Sequence, residues 1–245
     1  MILDPLTIAI VMGALIVAGS VKGALGIGLP AVAMSILPLF IEPALGVALL
    51  SLPIVVTNIQ QIVTGERWRQ IVAEYWVAGA FTFGTTFIVS QTLPHIPSDI
   101  VTAFVGLALI LFAVAALFKI DFPVTKAAGW QVGFGIASGI VGGLSAVKVP
   151  VMIYCAALKT PREEFVISAG FLFFMGGLGL VSGLSLASVF TLSLLPLSVG
   201  AVVASVIGFQ LGALIRKRIN ADLFRKLLLS LMLLIGLRMV ALMFL

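Results

Sequence analysis

Apolar runs broken by short polar connections divide this chain into ten segments, free of charge except for Arg238 in the last. They are Pro5–Val21, Gly23–Ile41, Ala44–Val63, Tyr75–Thr92, Ile100–Phe118, Ala127–Val147, Val149–Leu158, Phe165–Leu194, Leu195–Ile215 and Leu227–Leu245. Most approach the roughly 20 residues that a membrane-crossing helix needs, so the pattern predicts spanning helices. Two segments depart from it. Val149–Leu158 is only half a span, and Phe165–Leu194 includes a Gly/Ser-rich stretch, read as a loop from about Ser182.

Two of the junctions resemble each other. Gly19 to Pro30 reads GSVKGALGIGLP and Gly139 to Pro150 reads GIVGGLSAVKVP. At an offset of 120 positions Gly19 matches Gly139, Val21 matches Val141, Gly23 matches Gly143 and Pro30 matches Pro150. Each stretch carries one lysine, Lys22 in the first and Lys148 in the second. Duplicated, Gly/Pro-interrupted apolar segments holding a charge point to a transporter's substrate site.

Composition then narrows the class. The chain is 62% hydrophobic and 9% charged, with a mean hydropathy of +1.29, far from soluble globular norms. It reads as an integral membrane protein with no room for a soluble domain. The N-terminal run carries Asp4 and no basic leader, so it is read as a retained helix rather than a cleaved signal. Cys155 and His95 are the only residues of their kinds, which leaves no internal disulfide and no Cys- or His-based metal cluster. No cofactor is expected.

The charges set the topology. Arg67, Arg69, Lys119, Lys126, Lys159, Arg162, Arg216, Lys217, Arg218, Arg225 and Lys226 fall in alternate connections, while the others hold Asp4, Glu42 and Asp99. By the positive-inside rule the basic connections are cytoplasmic. The loop around Gln91–Asp99 is then outside while its counterpart Arg216–Lys226 is inside, so the halves 1–122 and 123–245 run in opposite directions. The predicted fold is an all-α polytopic membrane protein. It has two inverted-topology repeats of about five hydrophobic segments each, with Gly/Pro-broken or re-entrant helices and both termini outside.

Depth singles out the site candidates. Ten residues lie between Lys148 and Lys159, about 15 Å of helix, which places Lys148 near the bilayer centre. An ammonium there costs about 2.5–3.5 kcal/mol. An anionic ligand would justify that cost, with Gly142, Gly143 and Ser145 exposing backbone N–H groups beside it; the alternative is that Lys148 snorkels or meets a carbonyl. Lys22, with Gly23, Gly26 and Gly28, either lines the same site or marks the inner end of a first span. The third segment carries Pro53, Thr57, Asn58, Gln60 and Gln61, too polar for a lipid face; Asn58 and Gln61 either meet substrate or bond between helices. Arg238 is read as snorkelling outward, Glu74 as a partner of Arg67 and Arg69, and His95 as a solvated loop residue. Tyr154 and Cys155 are read as packing residues.

The glycine-rich stretch ending in proline, the Leu52–Asn58 run LPIVVTN and the repeat in the second half resemble the sulfite exporter family TauE/SafE. The resemblance covers essentially the whole chain. It implies a small bacterial inner-membrane permease with a duplicated half, associated with sulfite, sulfonates and related organosulfur anions. The family's glycine-rich motif falls on Gly19, Gly23, Gly26, Gly28 and Pro30, and on Gly139, Gly142, Gly143 and Pro150. The second copy has Ala146 and Lys148 where the first has Gly26 and Gly28, which leaves the substrate open.

The function expected is export of a small sulfur-containing anion by alternating access. Coupled import of such an anion, or an anion channel, are the alternatives. An enzyme is disfavoured by one loop histidine and no paired intramembrane acids, and a subunit of an ATP-driven importer by loops too short to dock an ATPase. The implied partners are the anion and the lipid bilayer, with no nucleic acid; a homodimer is compatible with the chain.

Overall fold

The structure is a computed structural model that describes residues 3–118, 123–215 and 221–242. Among these residues there are eleven α-helices and no strands. In order they are α1 (Pro5–Leu25), α2 (Leu29–Ile36), α3 (Pro43–Val63), α4 (Trp68–Glu74), α5 (Trp76–Ser90), α6 (Ser98–Phe118), α7 (Ala128–Ser145), α8 (Val149–Ala157), α9 (Arg162–Leu186), α10 (Leu195–Ile215) and α11 (Ala221–Ala241). α1, α3, α6, α9 and α10 are each long and apolar enough to cross a membrane, and α4 with α5, bent by 67°, forms a sixth candidate. This is fewer than the ten apolar segments suggest. Glycines and Gln131 dilute α7, while Arg225, Lys226 and Arg238 interrupt α11.

Helices dominate because a chain this apolar must satisfy its backbone groups within each segment. Their starts are marked by proline or a cap: Asp4 accepts a hydrogen bond from the Thr7 amide at 3.0 Å, and Pro5 and Pro43 occupy the first turns of α1 and α3. Hydroxyls inside the helices fold back onto carbonyls one turn earlier, Ser20 onto Ile16 at 2.8 Å and Ser182 onto Leu178 at 2.7 Å.

Three boundaries differ from the charge-based expectation. α1 continues through Lys22 to Leu25 because a buried lysine stem does not end a helix; the chain turns only at Gly26, with φ +87°. The segment expected from Gly23 therefore shortens to α2. α9 continues past Ser182 to Leu186, since Gly183 lies against the Phe87 carbonyl of α5 and the Ser182 and Ser185 hydroxyls bond within the helix. The basic connection Arg216–Lys226 lies outside the described residues up to position 220, and α11 starts at Ala221 rather than Leu227.

Glycines set how the helices pack. A Cβ on Gly19 would fall 2.3 Å from the Ser205 carbonyl oxygen, and one on Gly23 would fall 2.0 Å from that of Phe209. From the other side, a Cβ added to Gly208 would collide with the Ile16 carbonyl oxygen and one added to Gly212 with that of Ser20. α1 and α10 therefore run parallel in backbone contact, the small-residue packing expected where lipid gives no hydrophobic drive. α7 and α5 run parallel likewise, with Gly135, Gly139 and Gly143 facing Ala78, Thr85 and Val89. α3 and α9 run antiparallel, Gly177 against Ile54 and Val55 and Gly170 against Gln61. α6 crosses α11 where Gly106 and Gly236 each face the other's carbonyl.

One end of α7 is pinned by polar contacts. Lys126 bonds both Glu74, at 2.6 Å, and Glu164, and Tyr75 donates to Glu164 at 2.9 Å. Gln131 spans Glu74, Lys126 and Ala78. Partial burial works against the Lys126 charge, but hydrogen bonds to Glu164 and Glu74 outweigh it and hold its pKa above the ordinary lysine value. Glu74 thus pairs with Lys126, not with Arg67 and Arg69. Arg67 bonds Gln70 instead, and Arg69 stacks over Trp68 at 5.4 Å. Tyr154 of α8 reaches the Thr125 carbonyl at 3.2 Å and stacks on Phe134 of α7 at 5.0 Å, so α8 folds back along α7.

Gly212→Val should lower the thermal midpoint of the detergent-purified protein by an overpacking cost of about 1–3 kcal/mol. Gly13→Ala, where an added Cβ meets nothing within 4 Å, should leave it unchanged or raise it. Equal midpoints for the two variants would sink the close-packing account.

Candidate functional site

Both junctions singled out in the sequence are interruptions between helices. The left-handed residue closing the first helix recurs at the same offset, Gly26 and Ala146, whereas the residue opening the second helix differs, Gly28 at φ +106° and Lys148 at φ -100°. α1 ends at Gly26, φ +87°, and α2 opens at Gly28, φ +106°. α7 ends at Ala146, φ +61°, and α8 opens at Lys148. The left-handed conformation suits glycine; alanine adopts it only at a cost. In the second junction Ser145 compensates, its hydroxyl bonding the Val141 carbonyl at 2.7 Å and accepting from the Val147 amide at 3.1 Å.

A cavity lies at the first junction, lined by Lys22, Gly26, Gly28, Asn58, Gln61 and Phe173, among others. It encloses about 10 Å³, the space of about one water-sized group. Lys22 is 3% exposed. Its ammonium donates to Asn58 Oδ1 at 2.6 Å and to Thr57 Oγ1 at 3.0 Å. Those two are held in turn, Thr57 donating to the Pro53 carbonyl and Asn58 to that of Ile54, each at 2.7 Å. Pro53 sits inside α3 and has no N–H to give to the preceding turn. Gln61 donates to the Val166 carbonyl at 2.7 Å, and its Oε1 is buried without a partner.

The second junction is built differently. Lys148 is wholly buried, its ammonium has no hydrogen-bond partner, and it lies 5.7 Å from the centroid of the Phe173 ring. Its stem fills a slot between two glycines. A Cβ on Gly176 would fall 1.9 Å from Lys148 Cε, and one on Gly142 would fall 2.7 Å from its Cγ. Among the described residues no carboxylate is within ion-pairing distance of Lys22 or Lys148.

The sequence candidates therefore separate. Lys22, Gly26, Gly28, Asn58 and Gln61 meet around one cavity. Gly23 and Gly143 face α10 and α5 as packing positions, Gly142 lies under the Lys148 stem, and Ser145 bonds the backbone of its own turn. Residue types alone did not single out Phe173, and marked Gly176 as a position of close helix packing rather than as the floor of the Lys148 slot. The signal for Gly176 was the glycine cluster with Gly177 and Gly179. Phe173, one of 17 phenylalanines, carries no such signal.

An all-helical chain with five or six candidate spans and charged side chains buried between its helices is a multi-pass membrane protein. The profile of the sulfite exporter TauE/SafE family matches residues 11–239, and the chain belongs to that family, which is one of transporters. Comparison with curated proteins and with solved structures gave no match.

Ala146→Gly should stabilise the protein by about 1 kcal/mol by removing the left-handed penalty, and Gly28→Ala should destabilise it by at least as much. Opposite signs in thermal unfolding are the expected result. The same sign for both would contradict the role given to the two turns.

Proposed function

We propose that this protein carries a small sulfur-containing anion, such as sulfite or a sulfonate, out of the bacterial cytoplasm across the inner membrane. The observation that carries the reading is Lys22, an ammonium buried at a cavity and held only by neutral oxygens. Charge-assisted hydrogen bonds contribute about 1.5–3 kcal/mol each, enough to hold Lys22 in place without neutralising it. The net positive charge remains available to an anion. Asn58 and Gln61 add amide groups, and the first turn of α2 leaves N–H groups without helical partners.

Two opposed repeats, roughly 1–122 and 123–245, supply the alternating access. The supporting observation is the pairing pattern. Shifted by 120 positions, α1 becomes α7 and α10 becomes α5, and α1 packs on α10 as α7 packs on α5. α3 and α9 are each other's counterparts and pack antiparallel, as do α6 and α11 in the pairing. A two-fold axis in the membrane plane generates such a set. Under that symmetry both termini share one side, which the positive-inside reading makes the outside, and each of the α1–α2 and α7–α8 pairs returns to the side it entered from.

Direction follows from charge. An inside-negative potential favours anion expulsion by about 2.3 kcal/mol per charge per 100 mV, so export needs no coupling ion. In proteoliposomes preloaded with sulfite, an inside-negative potential should speed release, and Asn58→Asp should stop it while the protein stays folded. That carboxylate would stand where Oδ1 now lies 2.6 Å from Lys22 and neutralise the site. Accumulation that requires a proton or sodium gradient would identify a coupled importer instead. Normal release by Asn58→Asp would remove Lys22 from the reading.

A further inference from the structure

We propose that Lys22 and Lys148 are two successive stations for the same oxyanion and that the Phe173 ring is the partition between them. The inference rests on the anion-export reading and adds a second site to it. Three observations on the second junction carry it.

The first is the state of the charge. Lys148 is more deeply buried than Lys22, yet it has no hydrogen-bond partner, whereas Lys22 has two. A ring face at 5.7 Å is a weaker partner for an ammonium than the oxygens of an anion. An arriving oxyanion therefore outcompetes the ring.

The second is that the slot is built. Gly142 and Gly176 remove the side chains that would collide with the Lys148 stem. Gly142 occupies the position equivalent to Lys22, and Lys148 the position equivalent to Gly28. The two halves thus deliver one ammonium each to comparable places, from opposite sides of the helix break. Lys148 also opens α8, a helix of nine residues in which Met152 is the first amide bonded back, to the Lys148 carbonyl. The preceding amides have no helical partner.

The third is the shared wall. Phe173 lines the Lys22 cavity and at the same time lies beneath the Lys148 ammonium. Gly177 faces Ile54 and Val55 across the α3–α9 contact. The level of Gly176, against Lys148, is therefore only about two residues from Thr57 and Asn58, about 3 Å of helix rise. Two cations at nearly the same depth, divided by one ring, let an anion pass from one to the other by a side-chain rotation. Sharing the ligand between two sites keeps either from holding it too tightly to release.

Purified full-length variants Lys22→Met, Lys148→Met and Phe173→Ala would be compared for equilibrium sulfite binding, sulfite efflux from proteoliposomes and thermal midpoint. For Lys148→Met, binding should stay within about twofold of wild type while efflux falls by about tenfold or more, a factor that corresponds to about 1.4 kcal/mol. Its midpoint should not fall, since a buried unpaired charge is replaced by an apolar chain of similar length. Unchanged efflux, binding lost in step with efflux, or a lowered midpoint would each overturn the second station. Phe173→Ala should give a sulfite leak that disappears when Lys148→Met is added; no leak, or a leak indifferent to Lys148, would overturn the partition. Lys22→Met should abolish binding. If it binds and exports normally, the export reading anchored on Lys22 fails, an outcome separate from the failure of the second station alone.

Discussion

Everything about this fold answers to two ammonium groups held in a low-dielectric interior without a carboxylate nearby. Each costs about 2.5–3.5 kcal/mol on insertion scales. For Lys22, two charge-assisted hydrogen bonds at about 1.5–3 kcal/mol each offset the cost. For Lys148, only a ring face is available, at about 2 kcal/mol when desolvated. The molecule therefore carries a small residual deficit at Lys148. An anion removes a deficit of that kind; a further hydrophobic contact does not.

Holding those charges requires the neighbouring backbones to come close, and glycine makes that possible. Gly19, Gly23, Gly208 and Gly212 bring α1 against α10, so that the turn at Gly26–Gly28 can present Lys22 to α3. Gly135, Gly139 and Gly143 do the same for α7 against α5. The glycine motif thus has two physical jobs. Gly26 and Gly28 supply left-handed turns beside the cavity, whereas Gly23 and Gly143 supply helix contact and touch no cavity.

That division explains how far the sequence could be read. Apolar runs, the 120-position offset and the two lysines were legible because each depends on residue type alone. The family followed from the same features and agrees with the match over residues 11–239. Pairing was not legible. Glu74 looked toward Arg67 and Arg69, its neighbours in sequence, but long-range packing brought Lys126 to it instead. The end of α1 was misjudged for a related reason. Charge was taken as the helix terminator, yet Lys22 finds Thr57 and Asn58 on another helix and the helix passes through it.

The remaining asymmetry between the halves is the most informative feature. The counterparts of Thr57 and Asn58 at the 120-position offset are Gly177 and Leu178, neither of which can accept a hydrogen bond from a lysine side chain through its own side chain. The second half therefore keeps the left-handed turn of the first, at Ala146, but lacks the groups that would satisfy its cation. If the lysines served only to hold the fold, the half without acceptors would be better off with an apolar residue at position 148, since an isosteric apolar side chain in place of an uncompensated buried charge is neutral or stabilising. Two glycines instead make room for the lysine. A scaffold that spends stability at Lys148, and shapes two helices around it, supports the proposal of a ligand that meets Lys22 and Lys148 in turn.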